Sequence, residues 1–321
     1  MEDLHLHYST LRGVVRAVDG VSFEVDEGAA LGIVGESGCG KTSLGIAVMR
    51  LLPSNVQRFD GGIYLDGQDL QRLSKEEFRR TIRWKKIAMV FQGAMNSLNP
   101  VMRVGDQVAE PLLVASDIGR KGAMARVSDL LEMVGLPREA AQRYPHELSG
   151  GMKQRILIAM ALILNPRLLI MDEPTSALDV SVQAQIMNLI KRLKVQLNLS
   201  VIFITHDIAL ASDICDTLCV MYAGELAEIG TAETILKEPR HPYAQLLLSS
   251  IPRLRGSTKP AYIPGNTPDL VTPPPGCRFH PRCPYVFEPC RIRSPGPFPL
   301  GGAHLARCWL LQDSKHGPDQ A

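Results

Sequence analysis

Gly35, Gly40, Lys41 and Thr42 follow the order G-x-x-x-x-G-K-[ST] within "GIVGESGCGKTSL", residues 32–44. Glycines at this spacing let successive backbone N–H groups converge on the β- and γ-phosphates of a nucleotide, and the start of a following helix adds a favourable dipole. Lys41 is suited to neutralise phosphate oxygens and the Thr42 hydroxyl to ligate Mg²⁺. The intervening Glu36, Ser37, Gly38 and Cys39, with Ser43 after them, complete a candidate phosphate cradle. The loop points to a nucleotide and leaves the reaction open.

Two adjacent carboxylates narrow the chemistry. In "RLLIMDEPTSALD", from Arg167 to Asp179, an apolar run ends in Asp172-Glu173. That pattern puts both acids at the carboxyl end of a buried strand, where α/β folds bind ligands. Asp172 is suited to hold Mg²⁺ through water and Glu173 to polarise an attacking water as general base, although the pair standing alone reads as a solvated loop. Upstream, "LSGGMKQRILIAMAL" from Leu148 reads locally as a Ser N-cap and two glycines opening an amphipathic helix.

These segments need a scaffold. Short apolar or β-branched runs recur at 21–25, 30–34, 87–91, 168–171, 201–205 and 218–222. Helical patterns occur at 41–52, 105–114, 124–134, 150–164 and 182–197. Strands alternating with helices predict βαβ units and a largely parallel sheet. The stretch 93–150 lacks a strand pattern and reads as a helical subdomain inserted into an α/β core. After Ser250 the chain turns rich in Pro, Gly and Arg, and the residues from Asp313 read as a disordered tail. The expected division is 1–250 as the main domain, with its helical subdomain at about 93–150, then 251–312 as a Cys-bearing extension and 313–321 as the tail.

Phosphate loop, Gln92 in "VFQGAMNSLNP", "LSGGM", "MDEPTSALD" and His206 in "IFITHD" occur in this order. Together they resemble the ATP-binding subunit of the ATP-binding-cassette (ABC) superfamily. The resemblance implies a P-loop nucleotide-binding domain with a RecA-like parallel-sheet core, an antiparallel β subdomain and an inserted helical subdomain. It implies ATP and Mg²⁺ as ligands, with Thr42, Gln92 and Asp172 on the metal and Glu173, His206, Gln92 and Lys41 as the catalytic group. It further implies that Ser149, Gly150, Gly151, Met152 and Gln154 bind ATP held by a second cassette, that Asp179 lies at the dimer seam, and that Tyr8 stacks on the base.

The Q-loop continuation "AMNSLNP", "HPYAQLLLSSIP" from His241 and the Pro-rich extension resemble the oligopeptide/dipeptide importer branch, in its D-type subunit rather than its F-type companion. That implies an ATPase subunit on the cytoplasmic face of a membrane, paired with a second, F-type cassette in a heterodimer. Two membrane-spanning permease subunits and, indirectly, an extracytoplasmic solute-binding protein complete the implied assembly. The alternatives are the same motor importing a nickel chelate or an oligosaccharide, or a soluble ABC ATPase outside transport. Local structure alone assigns His241-Pro242-Tyr243 no chemistry beyond a helix start with Pro in its first turn.

An apolar content of 45% with 21% charged residues is ordinary for a soluble globular protein. The net charge of +2 gives no reason to invoke nucleic acid as the partner, and no apolar run reaches the length of a membrane span. The N-terminus lacks the apolar core of a signal peptide. Seven cysteines make no complete disulfide set. Cys39 reads as a small filler, and Cys215 and Cys219 as buried thiols. Cys277, Cys283, Cys290 and Cys308, spaced C-x5-C-x6-C-x17-C in loop-rich chain, could enclose a [4Fe–4S] cluster that staples the extension. Zn²⁺, or thiols uncoordinated or disulfide-linked, remain open. The neighbouring Arg278, Arg282, Arg291 and Arg293 are expected to suit an anionic cluster, and some members of the branch carry one there.

Overall fold

The computed structural model describes residues 1–250 and 262–312. The opening of the Pro-rich stretch and the tail from Asp313 lie outside the described residues. In chain order the strands are β1 (Glu2–Thr10), β2 (Gly13–Val21), β3 (Ala30–Val34), β4 (Val56–Gly62), β5 (Tyr64–Leu65), β6 (Gln68–Asp69), β7 (Ile87–Val90), β8 (Leu168–Asp172), β9 (Ser200–Thr205), β10 (Thr217–Tyr222), β11 (Glu225–Thr231), β12 (Phe298–Pro299) and β13 (Leu305–Ala306). The α-helices are α1 (Lys41–Val48), α2 (Lys75–Thr81), α3 (Val104–Ala115), α4 (Arg120–Met133), α5 (Gly150–Leu162), α6 (Val180–Leu197), α7 (Ile208–Ile214), α8 (Ala232–Lys237), α9 (Pro242–Ser249) and α10 (Glu288–Ile292).

Contacts divide the chain into two compact units. The first holds Met1–Glu24, Leu31–Gln68 and the residues from Thr205 on. Its β2-β1-β4 sheet is antiparallel and buries Leu4, Leu6, Val18 and Val21. β10 runs parallel to β3, with Thr217 opposite Leu31 and Val220 opposite Val34. β11, β13 and β12 then follow antiparallel. β3 is buried along its whole length, which is why it reads as one apolar run rather than as an alternation.

The described part of the Cys-bearing extension packs within this unit. Arg16 N–H donates to Leu270 O at 3.0 Å. Arg278 pairs with Asp19 and Glu225. Buried Glu228 of β11 accepts from the N–H groups of Arg240 and His241, each at 2.8 Å, and meets His304 Nε2 at 2.7 Å. The arginines were expected to suit an anionic cluster, but Arg278 and Arg282 are instead committed to the carboxylates of Asp19, Glu225 and Glu36 in the first unit.

The second unit holds Val25–Ala30 and Asp69–Ile204. β7, β8 and β9 run parallel, Leu168 standing opposite both Ile87 and Ser200. Between Gly93 and Gly150 the chain forms α3, α4 and 3₁₀ turns without a strand. Val104, Val108, Val127, Leu130 and Leu131 recur at helical spacing and are fully buried.

The strand expected at 21–25 is displaced: β2 ends at Val21, and Phe23 N–H instead bonds Met1 O at 3.1 Å. α1 stops at Val48 rather than near Leu52, because Arg50 turns left-handed at φ 47° ahead of Pro53.

Candidate active site

The phosphate loop joins β3 to α1 in the first unit. Gly40 caps α1 at φ 106°, and a Cβ there would stand 1.9 Å from Ala17 O. Left-handed backbone and close approach together exclude every other residue. Lys41 is buried, and its Nζ donates to the carbonyls of Gly35 at 2.7 Å and Glu36 at 3.0 Å. Ser37, Gly38 and Thr42 are exposed along the loop, and Ser43 is half-buried behind them. Burial pushes the Cys39 thiol up against the opposing pull of Lys41, so Cys39 fills space as a neutral group.

Two contacts on this loop were invisible in the sequence. Glu36 N–H donates to the Tyr243 hydroxyl at 2.9 Å. The Glu36 carboxylate accepts both terminal nitrogens of Arg282, at 2.7 and 3.0 Å. Tyr243 is fully buried, its ring 4.5 Å from that of Tyr222 and 5.4 Å from that of Phe279. His241 Nδ1 accepts the Tyr243 N–H at 3.0 Å and so starts α9. The "HPY" segment therefore anchors the phosphate loop, although its residues alone gave no sign of it.

Tyr8 lies half-buried on β1, opposite Val15 and Val56. His206 is exposed between β9 and α7. Asp207 caps α7 by accepting from the N–H groups of Ala209 and Leu210.

In the second unit, Asp172 ends β8 and is buried. Glu173 follows in left-handed conformation at φ 44°, its N–H fixed to Ile204 O at 2.8 Å. Its Oε2 accepts from Gln92 Nε2 at 2.9 Å, so the structure brings these two residues together. Ser149 caps α5 and accepts the Met152 N–H at 3.3 Å. A Cβ on Gly151 would meet a Val182 methyl at 2.5 Å, so any larger residue there would have to push that side chain aside. Asp179 caps α6 by accepting Val182 N–H at 3.0 Å and the Ser181 hydroxyl at 2.7 Å. These bonds hold its carboxyl below the usual range. Gln154 is buried, and its Nε2 has no partner among the described residues.

A nucleotide loop, an acid pair at a strand end and a glycine-opened helix recur together in known proteins. Residues 18–176 match the family model described as ABC transporter. Residues 227–290 match the one described as Oligopeptide/dipeptide transporter, C-terminal region. The Dipeptide transport ATP-binding protein DppD of Bacillus subtilis is 46% identical over 319 residues, 98% of this chain and 95% of that protein. The Oligopeptide transport ATP-binding protein OppD of Haemophilus influenzae is 45% identical, covering 97% of this chain and 96% of that one. The chain belongs to the ABC transporter family. Among solved structures, the dimer of the bacterial ABC transporter cassette MJ0796 aligns with TM-score 0.64 at 28% identity, over 72% of this chain and 97% of that one. A post-hydrolysis dimer of the same cassette bound to ADP and Pi aligns equally well, at TM-score 0.64.

Each unit of this ABC ATPase carries one further feature. A groove of about 650 Å³ in the second unit is rimmed by Arg79, Arg80, Arg83 and Lys85, with Pro111, Val114, Ala115, Met160 and Leu164 lining its apolar part. Val114 is 79% exposed there, a large apolar surface on a helix end.

The four cysteines of the extension share a neighbourhood. Cys277 N–H donates to Cys290 O at 2.9 Å. Burial pushes the Cys277 thiol up to about 11 and Cys308 to about 12, and raises Cys283 as well. Opposing this, the nearby backbone N–H groups of Phe279, Tyr285 and Leu310 pull the thiols of Cys277, Cys283 and Cys308 back down. Among the described residues, no three of these sulfurs all lie within 4.8 Å of one another. Tetrahedral Zn²⁺ with bonds of about 2.3 Å would need sulfurs about 3.8 Å apart. Among any three of these sulfurs, at least one pair therefore stands farther apart than a tetrahedral Zn²⁺ site requires.

Proposed function

We propose that this chain is the ATP-hydrolysing subunit of an importer for dipeptides or oligopeptides. The observation that carries the reading is the whole-length identity to dipeptide and oligopeptide transport ATP-binding proteins, extension included. In this reading Gly35–Ser43 cradle the phosphates, Lys41 exchanges loop carbonyls for phosphate oxygens, and Tyr8 stacks on the base. Glu173 takes a proton from the attacking water, Gln92 orients that carboxylate, and His206 contacts the γ-phosphate. Thr42, Gln92 and Asp172 are the ligand set for Mg²⁺, which neutralises phosphate charge when bound.

Ser149, Gly150, Gly151, Met152 and Gln154 complete the ATP site of a second cassette, with Asp179 at the seam. Contacts made to the γ-phosphate only in the closed pair make ATP favour closure, and its hydrolysis release it. We assign the partner as an F-type cassette. The basic-rimmed groove suits a cytoplasmic segment of a permease subunit, with an apolar anchor for Val114 and acidic groups for its rim. The chain then sits peripherally on the cytoplasmic side of the membrane. Among the described residues no helix is long and apolar enough to cross it.

The decisive test uses the complex co-purified with its membrane subunits. Glu173→Gln should keep ATP binding and cassette closure while lowering turnover by about 10²–10⁴-fold. Hydrolysis at the parent rate would remove Glu173 as the base, and absence of ATPase stimulation by both dipeptides and oligopeptides, each presented with the solute-binding protein, would remove the peptide assignment.

For the extension we propose a structural [4Fe–4S] cluster on Cys277, Cys283, Cys290 and Cys308. Iron near four atoms per chain in anaerobically purified protein supports it; zinc at one equivalent without iron refutes it.

A further inference from the structure

Outside the ATPase machinery and the four cysteines, a second set of ligating side chains converges on the antiparallel sheet. His5 and His7 are alternate residues of β1, and His5 pairs in register with Asp19 of β2. His5 Nδ1 lies 2.9 Å and His7 Nε2 3.0 Å from the same oxygen, Asp19 Oδ1. All three ligating atoms lie within 4.8 Å of one another, the one such group of three or more His, Cys, Asp or Glu among the described residues. The side chains are 13%, 9% and 14% exposed, so each is largely withdrawn from water but not sealed.

We propose that His5, His7 and Asp19 form a binding site for a divalent first-row transition ion of the zinc class. Two imidazole nitrogens and one carboxylate oxygen on one side of an ion form a facial triad, a donor set that suits Zn²⁺, Ni²⁺ or Co²⁺ better than Mg²⁺ or Ca²⁺. Metal–ligand bonds of about 2.1 Å place neighbouring donors about 3 Å apart in an octahedral shell and about 3.4 Å apart in a tetrahedral one. The two separations from Asp19 Oδ1, 2.9 and 3.0 Å, match the octahedral value and fall about 0.5 Å short of the tetrahedral one, so side-chain adjustments of that size admit the ion.

Groups around the triad already do what outer partners of metal ligands do. Asp19 Oδ2 accepts from Arg278, which is itself tied to Glu225 Oε1 at 3.1 Å and to Ala223 O. That clamp turns Oδ1 toward the imidazoles. His5 Nε2 lies 3.3 Å from Asp3 Oδ1. On binding, each imidazole keeps one proton: His5 moves its proton from Nδ1 to Nε2 and donates it to Asp3, and His7 moves its proton from Nε2 to Nδ1. No net proton is released from neutral rings, and the carboxylate–histidine–metal arrangement that orients such ligands is completed by Asp3.

The competing reading is that the three side chains are only a hydrogen-bond network fastening β1 to β2. Equilibrium dialysis of the full-length protein against micromolar ZnCl₂, followed by metal analysis, separates the two. The parent should hold one more zinc per chain than the His5→Gln/His7→Gln variant, with cysteine-bound metal equal in both. Asp19→Asn should also lose that ion, and Asp3→Asn should weaken it by about tenfold or more. Equal zinc content in parent and double variant refutes the site. Should the variants fail to fold, Co²⁺ added to the parent decides. Exchangeable imidazole N–H resonances from two histidines, shifted by the paramagnetic ion, support the site, and unshifted imidazoles in Co²⁺-loaded protein overturn it.

Discussion

Replacing Arg282 with Met removes a guanidinium whose side chain is 5% exposed and which is held from several sides. It loses two bonds to Glu36 at 2.7 and 3.0 Å, and a third to Pro264 O at 2.7 Å. Breaking one side of a fully buried ion pair costs about 3–5 kcal/mol. The Glu36 side chain is 25% exposed and can turn partly to water, which brings the expected loss of stability to about 2–3 kcal/mol. The effect on nucleotide is separate. Freeing the Glu36 side chain leaves that residue held by its N–H on Tyr243 and its carbonyl on Lys41. Re-ordering about one residue when phosphate binds costs about 1–2 kcal/mol, a rise of about five- to thirtyfold in the dissociation constant for ATP. Urea unfolding and titration with a fluorescent ATP analogue read the two quantities independently. A double-mutant cycle with Glu36→Gln isolates the pair. Additivity within about 0.3 kcal/mol, or unchanged ATP affinity in Arg282→Met, would refute the claim that the extension positions the phosphate loop.

Other consequences are as direct. Val114→Glu places a carboxylate on the apolar part of the groove and should abolish co-purification with membrane subunits while leaving ATP binding within about twofold, read by pull-down and nucleotide titration. Burial lowers the His241 pKa to about 4 from its ordinary 6.5, so the unfolded chain binds the extra proton first. Stability from this residue is intact above pH 6.5 and falls as pH drops toward 4, by up to about 3 kcal/mol. His241→Asn should flatten that part of the pH–stability curve measured by denaturant unfolding.

The sequence was most informative where function forces a local pattern. β3 and β8 are buried apolar runs ending at the phosphate loop and at Asp172, and both were legible from composition alone. β1 and β4 were not, because "EDLHLHYST" and "VQRFDGG" place polar residues on both faces of a partly exposed sheet. Gln92 beside Glu173 was anticipated only as a shared role, since their side chains meet across 81 residues of chain. The grip of Tyr243 and Arg282 on Glu36 spans 207 and 246 residues and has no local signature. The residues most clearly missed are those whose work is to hold another residue in place.

Glu173 occupies backbone territory that suits glycine, at a cost of about 1–2 kcal/mol for an L side chain. Glu173→Gly would relax that turn and delete the carboxylate in one step. With Glu173 as the base, as proposed above, a laboratory selection that rewarded heat resistance alone would be drawn toward this codon and would enrich robust proteins that no longer run. Any campaign to harden this motor should score turnover in every round, because here durability and work compete for the same position.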